Sequence, residues 1–402
     1  MTNALLLALT LAAGDPEVGK PAPDFTLEDT EGRRHRLSDL RGKLVVLEWT
    51  SHLCPGVAAH YRRGWLPQTQ KSLEGRVVWL AIDSNGFCKR VVDDIEAWRK
   101  ERGVRHPWLL DPSGAVGRSF GAAATPQLFV VDARGVLAYA GALRDNDGKR
   151  NYLLDAVAAI EAKRTADPAR TPARGCMIAY AAPGGDEAAD LYAEAAGWSG
   201  EAEIDPPFSL LKAAFRAGHP APSRVLTDAA FAKLRAGEAR KRLRAILREA
   251  ARESRMTLVP PDEPGEPLVF VGRVVDRSGR PVAGALVYAF HTDRRGLYSE
   301  GGMDESNPRL FGYLRTGADG RFELRTIRPG HYPDQEEPVE QHIHFEIEAE
   351  GFAKKIDRLG FRDDPFWAKH GKKPPAWAAP VTREDGAPPR CERDLVIDRE
   401  SR

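Results

Sequence analysis

Residues 260–267 read PPDEPGEP. Proline has no amide hydrogen to give a helix and its ring fixes φ, so no helix runs through this stretch, which serves as a stiff spacer between folding units. The hydrophobic pattern changes across it. Downstream, VFVGRVVD and VAGALVYAF are apolar runs rich in β-branched residues, and YLRTGADGRFELRTI alternates about Asp319-Gly320, a two-residue hairpin turn. Such patterning predicts a β-sandwich over residues 265–402. Upstream, LVVLEWT from Leu44 and VVWLAID near Val77 read as short buried strands, with helical stretches from Pro55 and over residues 96–102. LFVVDARGVLAYAG gives two more strands about Ala133-Arg134-Gly135, and residues 152–163 an amphipathic helix. Strand and helix in alternation predict an α/β domain over residues 15–182.

Residues 183–264 form a third region, alanine-rich and strongly charged over residues 228–255. Leu234, Leu243, Ile246 and Leu247 predict one long amphipathic helix there, its basic residues on a solvated face. The region reads as a helical connector, which makes the chain a multidomain protein, α/β followed by all-β. Residues 228–255 are a candidate homodimer interface, the alternative being a helix packed within one chain.

Lys and Arg total 59 against 58 Asp and Glu, so no long-range field recruits nucleic acid or an acidic membrane surface. Ahead of Asp15, residues 4–13 are an apolar run of the length of a signal-peptide core, too short to span a bilayer. Residues 1–14 are therefore expected to be a signal peptide and the protein to be periplasmic or extracellular. If the segment is not a signal, a cytoplasmic location is expected. No other apolar run is long enough for membrane insertion.

In QHIHFEIE, His342 and His344 are two residues apart, so a strand of period two sends both from one face, where they can chelate one ion. Tyr298 in RRGLYSE and Tyr332 in RPGHYP each follow a glycine-containing turn at a strand end, which can aim a side chain over a site. Two phenolates with two imidazoles form a hard, partly anionic set suited to iron(III). Taken singly, such histidine pairs and tyrosines are commonplace surface or edge residues. Together and in order, the segments GRVVDRSGRPVAGALVYAFHTDRRGLY, LRTGADGRFELRTIRPGHYP and HIHFEI closely resemble the core of the intradiol ring-cleavage dioxygenases, over about 130 residues.

The resemblance implies a non-haem iron(III) ion held by Tyr298, Tyr332, His342 and His344. It also implies an aromatic diol and O2 as substrates, cleaved between the hydroxyl-bearing carbons to a muconate-type diacid. By position, Tyr332 is the departing axial ligand and internal base, His344 the other axial ligand, and Tyr298 with His342 the in-plane pair. One departure stands out. Where catabolic members read Arg-Pro-Ala-His, residues 339–342 read Val-Glu-Gln-His, so the arginine that helps stabilise the carbanion-like substrate is replaced by Val339. Either another arginine such as Arg325 serves, or substrate and rate differ from those of catechol enzymes.

The segments VGKPAPDFTLEDTEGRRHRLSDLRGK, VVLEWTSHLCPGVAAHY and ATPQLFVVDARG resemble the thioredoxin-like and peroxiredoxin-like redoxins over about 150 residues. The resemblance implies a thioredoxin-like α/β domain with Cys54 where a strand passes into a helix, a place where the helix dipole lowers a thiol pKa. It also implies a cis peptide before Pro126. The second cysteine of Cys-x-x-Cys is replaced by Val57, so dithiol exchange within that motif is excluded. Ser51 stands where peroxiredoxins place a threonine, and their proline is absent. A distant partner would have to resolve an oxidised Cys54, with Cys176 in RGCMIAY the first choice and Cys88 the second. Two alternatives stay open: Cys54 as a buried small hydrophobe in a redox-inert scaffold, or Cys54 with His52 and His60 as a copper or zinc site.

The leading expectation is an exported iron(III) dioxygenase acting on a catechol-like diol and fused to a redoxin domain. The alternative is a thiol peroxidase or reductase using Cys54, with a degenerate β-sandwich as binding module. A third reading makes both domains binding modules.

Overall fold

A computed structural model describes residues 16–145, 147–173, 175–181, 186–199, 205–333 and 339–400. The expected signal peptide, residues 1–14, lies outside the described residues, as do residues 182–185 around the expected end of the α/β domain. The chain divides into two units, Met1–Glu187 and Ala188–Arg402.

The first unit contains strands β1 (Thr26–Asp29), β2 (Arg34–Arg36), β3 (Val45–Trp49), β4 (Val78–Asp83) and β5 (Trp108–Leu110). They are followed by β6 (Ala124–Thr125), β7 (Gln127–Val131), β8 (Leu137–Gly141) and β9 (Cys176–Met177). Its helices are α1 (Pro55–Arg62), α2 (Trp65–Ser72), α3 (Val92–Arg102), α4 (Ala115–Ser119) and α5 (Tyr152–Glu161). Seven strands form one sheet in the order β2-β1-β5-β4-β3-β7-β8, with β3, β4 and β5 parallel to one another. A sheet covered on both faces needs strands apolar on both sides. Thus Val46, Leu128 and Val130 enter a core with Val57, Leu153 and Val157, while Val45, Leu47, Phe129 and Val131 enter another with Phe120. The strand β3 ends at Trp49 and α1 begins at Pro55, whose fixed φ suits a first helical position, with Cys54 immediately before it.

The second unit contains α6 (Glu187–Trp198), which starts at the last residue of the first, then α7 (Asp205–Arg216) and α8 (Ala239–Ala250). Strands β10 (Arg255–Thr257), β11 (Pro267–Asp276), β12 (Leu286–His291), β13 (Leu310–Arg315), β14 (Arg321–Ile327) and β15 (His342–Glu348) follow. The chain then forms β16 (Lys355–Phe361), a short helix α9 (Pro365–Lys369), β17 (Ala378–Ala379), β18 (Val381–Thr382) and β19 (Arg390–Ile397). Two five-stranded sheets result, β10-β14-β11-β19-β18 and β13-β12-β15-β16-β17. Phe270 of β11 and Phe322 of β14 meet Phe345 of β15 with ring centroids 5.3 and 6.1 Å apart, so the inner faces of the sheets pack as a sandwich.

The stretch expected as one long helix is divided. Asp228 caps a short 3-10 segment, Ala229–Arg235, and Gly237, at φ 52°, breaks the chain before α8. Arg240 of α8 is buried and its Nε donates to the Arg235 carbonyl at 2.7 Å. Arg240 apart, the basic face is solvated and carries surface ion pairs: Arg242, 47% exposed, pairs with Asp205 at 2.7 Å, and Arg248, 51% exposed, pairs with Glu348. Leu234, Leu243, Ile246 and Leu247 are all buried inside this unit, so a dimer through the segment would use its polar side. Among the described residues no helix is long and apolar enough to cross a membrane.

Candidate functional site

On β15 the alternation that buries Ile343, Phe345 and Ile347 in the sandwich sends His342 and His344 to the opposite face. Tyr298 and Tyr332 come from the loops after β12 and β14. Asp293 folds the first loop by accepting the backbone N–H groups of Arg295 and Leu297, and the Arg309 amide holds the Tyr298 carbonyl at 2.6 Å. The loops pack backbone on backbone, which glycine alone allows. A Cβ on Gly296 would lie 1.7 Å from the His331 carbonyl oxygen, and one on Gly330 would lie 2.4 Å from that of Arg294.

The four side chains thereby converge. Tyr298 Oη lies 2.5 Å from Tyr332 Oη and 2.7 Å from His344 Nε2. Tyr332 Oη lies 3.0 Å from His342 Nε2 and 3.4 Å from His344 Nε2, and the two imidazole nitrogens are 2.9 Å apart. His342 Nδ1 donates to the Glu340 carbonyl at 2.8 Å, which leaves the Nε2 lone pair facing the cluster. Ligands each about 2 Å from a common ion lie within about 4 Å of one another, so the four donors are spaced to share one metal.

The protonation of the four donors fits the same reading. Burial pushes both phenols up and both imidazoles down, His344 to about 3, with the neighbouring His342 adding to the effect. The four donors are thus neutral phenols and imidazoles in themselves, and a highly charged metal would deprotonate the phenols and take the imidazole lone pairs. Two phenols and two imidazoles with no lysine among them fit iron(III).

The cysteines form a second cluster in the first unit. Strand β9 pairs antiparallel with β6, placing Cys176 opposite Thr125, and the Thr125–Pro126 peptide is cis. Cys54 Sγ is 2.7 Å from Cys176 Sγ and 3.0 Å from the Thr125 carbonyl oxygen. A hydrogen bond from the Cys176 thiol holds the Cys54 thiol down to about 6 against the opposing effect of burial, with the Val57 amide at the start of α1 assisting. The Cys176 thiol is pushed up by the same bond. Cys88 is not brought to this pair: it is buried beside Asp83 and Asp111, and burial first and those carboxylates second push its thiol well up. His60 packs edge-on against Trp65, ring centroids 5.3 Å apart. Among the described residues no group of three His, Cys, Asp or Glu is placed to hold a metal, so a copper or zinc site of Cys54, His52 and His60 does not form.

Residues 246–373 match the family model described as dioxygenase, and residues 18–140 match the AhpC/TSA family. The chain carries a redoxin domain and an intradiol dioxygenase domain. It is 31% identical over 154 residues to catechol 1,2-dioxygenase 1 of Acinetobacter lwoffii, covering 34% of this chain and 46% of that protein. It is 33% identical over 120 residues to the thiol-disulfide oxidoreductase ResA of Geobacillus thermodenitrificans, covering 29% of this chain and 65% of that one. A solved structure, the dioxygenase domain of a dioxygenase carbohydrate-binding protein fusion from a cellulolytic Streptomyces, is 32% identical over 37% of this chain and 90% of its own, with a TM-score of 0.31. The chain spans about half the length of the curated dioxygenases that it matches.

Within the dioxygenase domain, Arg325 does not join the four donors. It stands on β14, in the other sheet, where its Nε donates to Glu323 at 2.9 Å. Residues that the sequence reading missed also shape the site. Glu305 approaches His344 Nδ1 at 3.8 Å. Arg240 reaches from α8 to the Tyr298 loop, donating to the Asn307 carbonyl at 2.8 Å and the Glu300 carboxylate at 2.9 Å. The signal for Arg240 was present: it stands three residues before Leu243 and seven before Leu247, on the apolar face of its helix.

Proposed function

We propose that the dioxygenase domain is a non-haem iron(III) enzyme that cleaves a catechol-like aromatic diol between its two hydroxyl-bearing carbons. The observation that carries the proposal is the convergence of Tyr298, Tyr332, His342 and His344, with their donor atoms 2.5 to 3.4 Å apart. Bound there, iron(III) would withdraw electron density from a deprotonated diol and open its ring to dioxygen. Both oxygen atoms enter the diacid product, so no external reductant is consumed.

The residues divide the work by burial. Tyr298 is 2% exposed and tied through its carbonyl to the Arg309 amide, which suits a fixed donor. Tyr332, partly exposed on the loop before β15, is the donor with more freedom to move, and its Oη would be the group to accept a proton from the diol. His342 is oriented by the Glu340 carbonyl and remains in place. In the Tyr332→Phe variant, iron content should persist while catechol-dependent oxygen uptake falls by at least a hundredfold. Undiminished uptake in that variant, or wild-type protein that takes up no iron and shows no visible tyrosinate band, would sink the proposal.

A second activity has its own supporting observation, the 2.7 Å approach of Cys54 and Cys176. We infer that they are a dithiol–disulfide pair of the redoxin domain. The Cys54 thiolate attacks one sulfur of a disulfide substrate and expels the other as thiolate. Cys176, giving up its proton, then attacks the Cys54 sulfur, closes the intrachain disulfide and releases the second substrate thiol, so two electrons pass to the substrate. Replacing Cys176 by Ala removes the hydrogen bond that holds Cys54 near 6, so the Cys54 pKa should rise and its alkylation at pH 7 slow by about tenfold. A mixed disulfide should also accumulate. An unchanged alkylation profile would refute the pairing.

A further inference from the structure

Ring cleavage needs positive charge near the diol. As the diol gives up its protons in a site that already holds two phenols and the carboxylates of Glu305 and Glu340, negative charge gathers there, and more grows on the ring as it is attacked. At position 339, where the family resemblance puts an arginine, the side chain is valine.

The neighbouring strand offers another. Across the antiparallel pair β15 and β16, His342 faces Gly360 and His344 faces Arg358. Directly opposed residues of an antiparallel pair share one face, so Arg358 stands on the face of the two histidines. Two neighbours hold its guanidinium. It lies over the Trp377 ring, 4.5 Å from the centroid, and Trp377 itself sits on bare Gly360, where a Cβ would come within 2.5 Å of the indole. Its Nη1 is 3.1 Å from Glu340 Oε1, a buried oxygen that accepts no hydrogen bond among the described residues, so the pair is held by charge rather than by an aligned bond. A guanidinium has five N–H donors in a rigid fork, and these contacts leave several for an anionic ligand.

We propose that Arg358 supplies, from β16, the positive charge that steadies a bound aromatic diolate and its reacting ring, in place of the arginine that Val339 displaces. The proposal rests on the iron dioxygenase reading. Both are tested together in iron-loaded full-length protein, with nitrocatechol binding under anaerobic conditions and oxygen uptake with catechol as readouts. Arg358→Gln should keep wild-type iron content and visible band, bind nitrocatechol about tenfold more weakly, and lose about a hundredfold in oxygen uptake. Arg358→Lys should retain most of the binding, and adding Val339→Arg to Arg358→Gln should recover at least tenfold of the lost uptake. A merely structural arginine would not be rescued from a second position. Wild-type binding and uptake in Arg358→Gln overturn the proposal while leaving the dioxygenase reading intact, and so does loss of iron from that variant, which would make Arg358 a prop for the ligands. Wild-type protein without iron overturns both.

Discussion

Glu48 shows how a single side chain sets a pH response in the redoxin domain. Its carboxyl is 1% exposed and takes hydrogen bonds from Trp79 Nε1 at 2.8 Å and Gln70 at 3.5 Å. Burial is the dominant cause, and it lifts the pKa from 4.5 to about 7 against those bonds. Asp29 of the same unit is the contrary case: burial would raise it, but His35 and Arg33 bond its carboxylate and bring it down to about 2. For a carboxyl raised on folding, the native state binds the proton more tightly, so stability is highest below the unfolded pKa and declines as pH rises to the folded value. The loss through Glu48 should therefore accumulate between pH 4.5 and about 7 and then level off. At about 1.4 kcal/mol per unit it amounts to at most about 3 kcal/mol. Glu48→Gln keeps an oxygen for Trp79 and cannot ionise, so it should be more stable than wild type at pH 8 and indistinguishable at pH 4. Denaturant melts at the two pH values check this, and equal stabilities at pH 8 would show that Glu48 ionises at little cost.

At the scale of elements, both sites are made by short pieces of chain held against a rigid strand. The cysteine pair depends on two-residue strands: β9 lies on β6 only because Gly175, at φ 147°, can pass the Thr125 carbonyl, 1.9 Å from where a Cβ would stand. The donors of the dioxygenase domain depend on β15 for two of them and on two glycine-packed loops for the others. Helix α8 acts on the site from outside the sandwich, because Arg240 spends its guanidinium on the carbonyls of residues 235 and 307 and on the carboxylate of Glu300. A charge so thoroughly bonded orders the loop carrying Tyr298, whereas the exposed pair of Lys241 with Glu238 on the same helix contributes little.

Across the whole molecule, what the sequence made legible was local. The period-two spacing of His342 and His344, the glycine turns before Tyr298 and Tyr332, and Pro55 opening a helix beside Cys54 are each determined by neighbours a few residues away. What stayed hidden was long-range: Arg358 meets His344 through strand register, and Arg240 grips a loop sixty and more residues downstream. The break at Gly237 left a trace in the spacing: Leu234 stands nine residues before Leu243, half a turn off the face that Leu243, Ile246 and Leu247 share on one helix. Legible or not, each unit has its own core, with Val46 and Val130 inside one and Phe270 and Phe345 inside the other, and each has its own chemistry. Such units unfold cooperatively within themselves. Calorimetry should therefore resolve two transitions. Iron at about a hundred times its dissociation constant stabilises its unit by about 2.7 kcal/mol, which for a unit of this size raises one midpoint by about 5–10 °C. Oxidising the Cys54–Cys176 pair should raise the other midpoint and leave the iron-sensitive one where it was, since the crosslink constrains only the unfolded redoxin domain. If instead one transition responds to both treatments, folding of the two domains is a single event, and the thiol chemistry of one can no longer be treated as independent of the metal in the other.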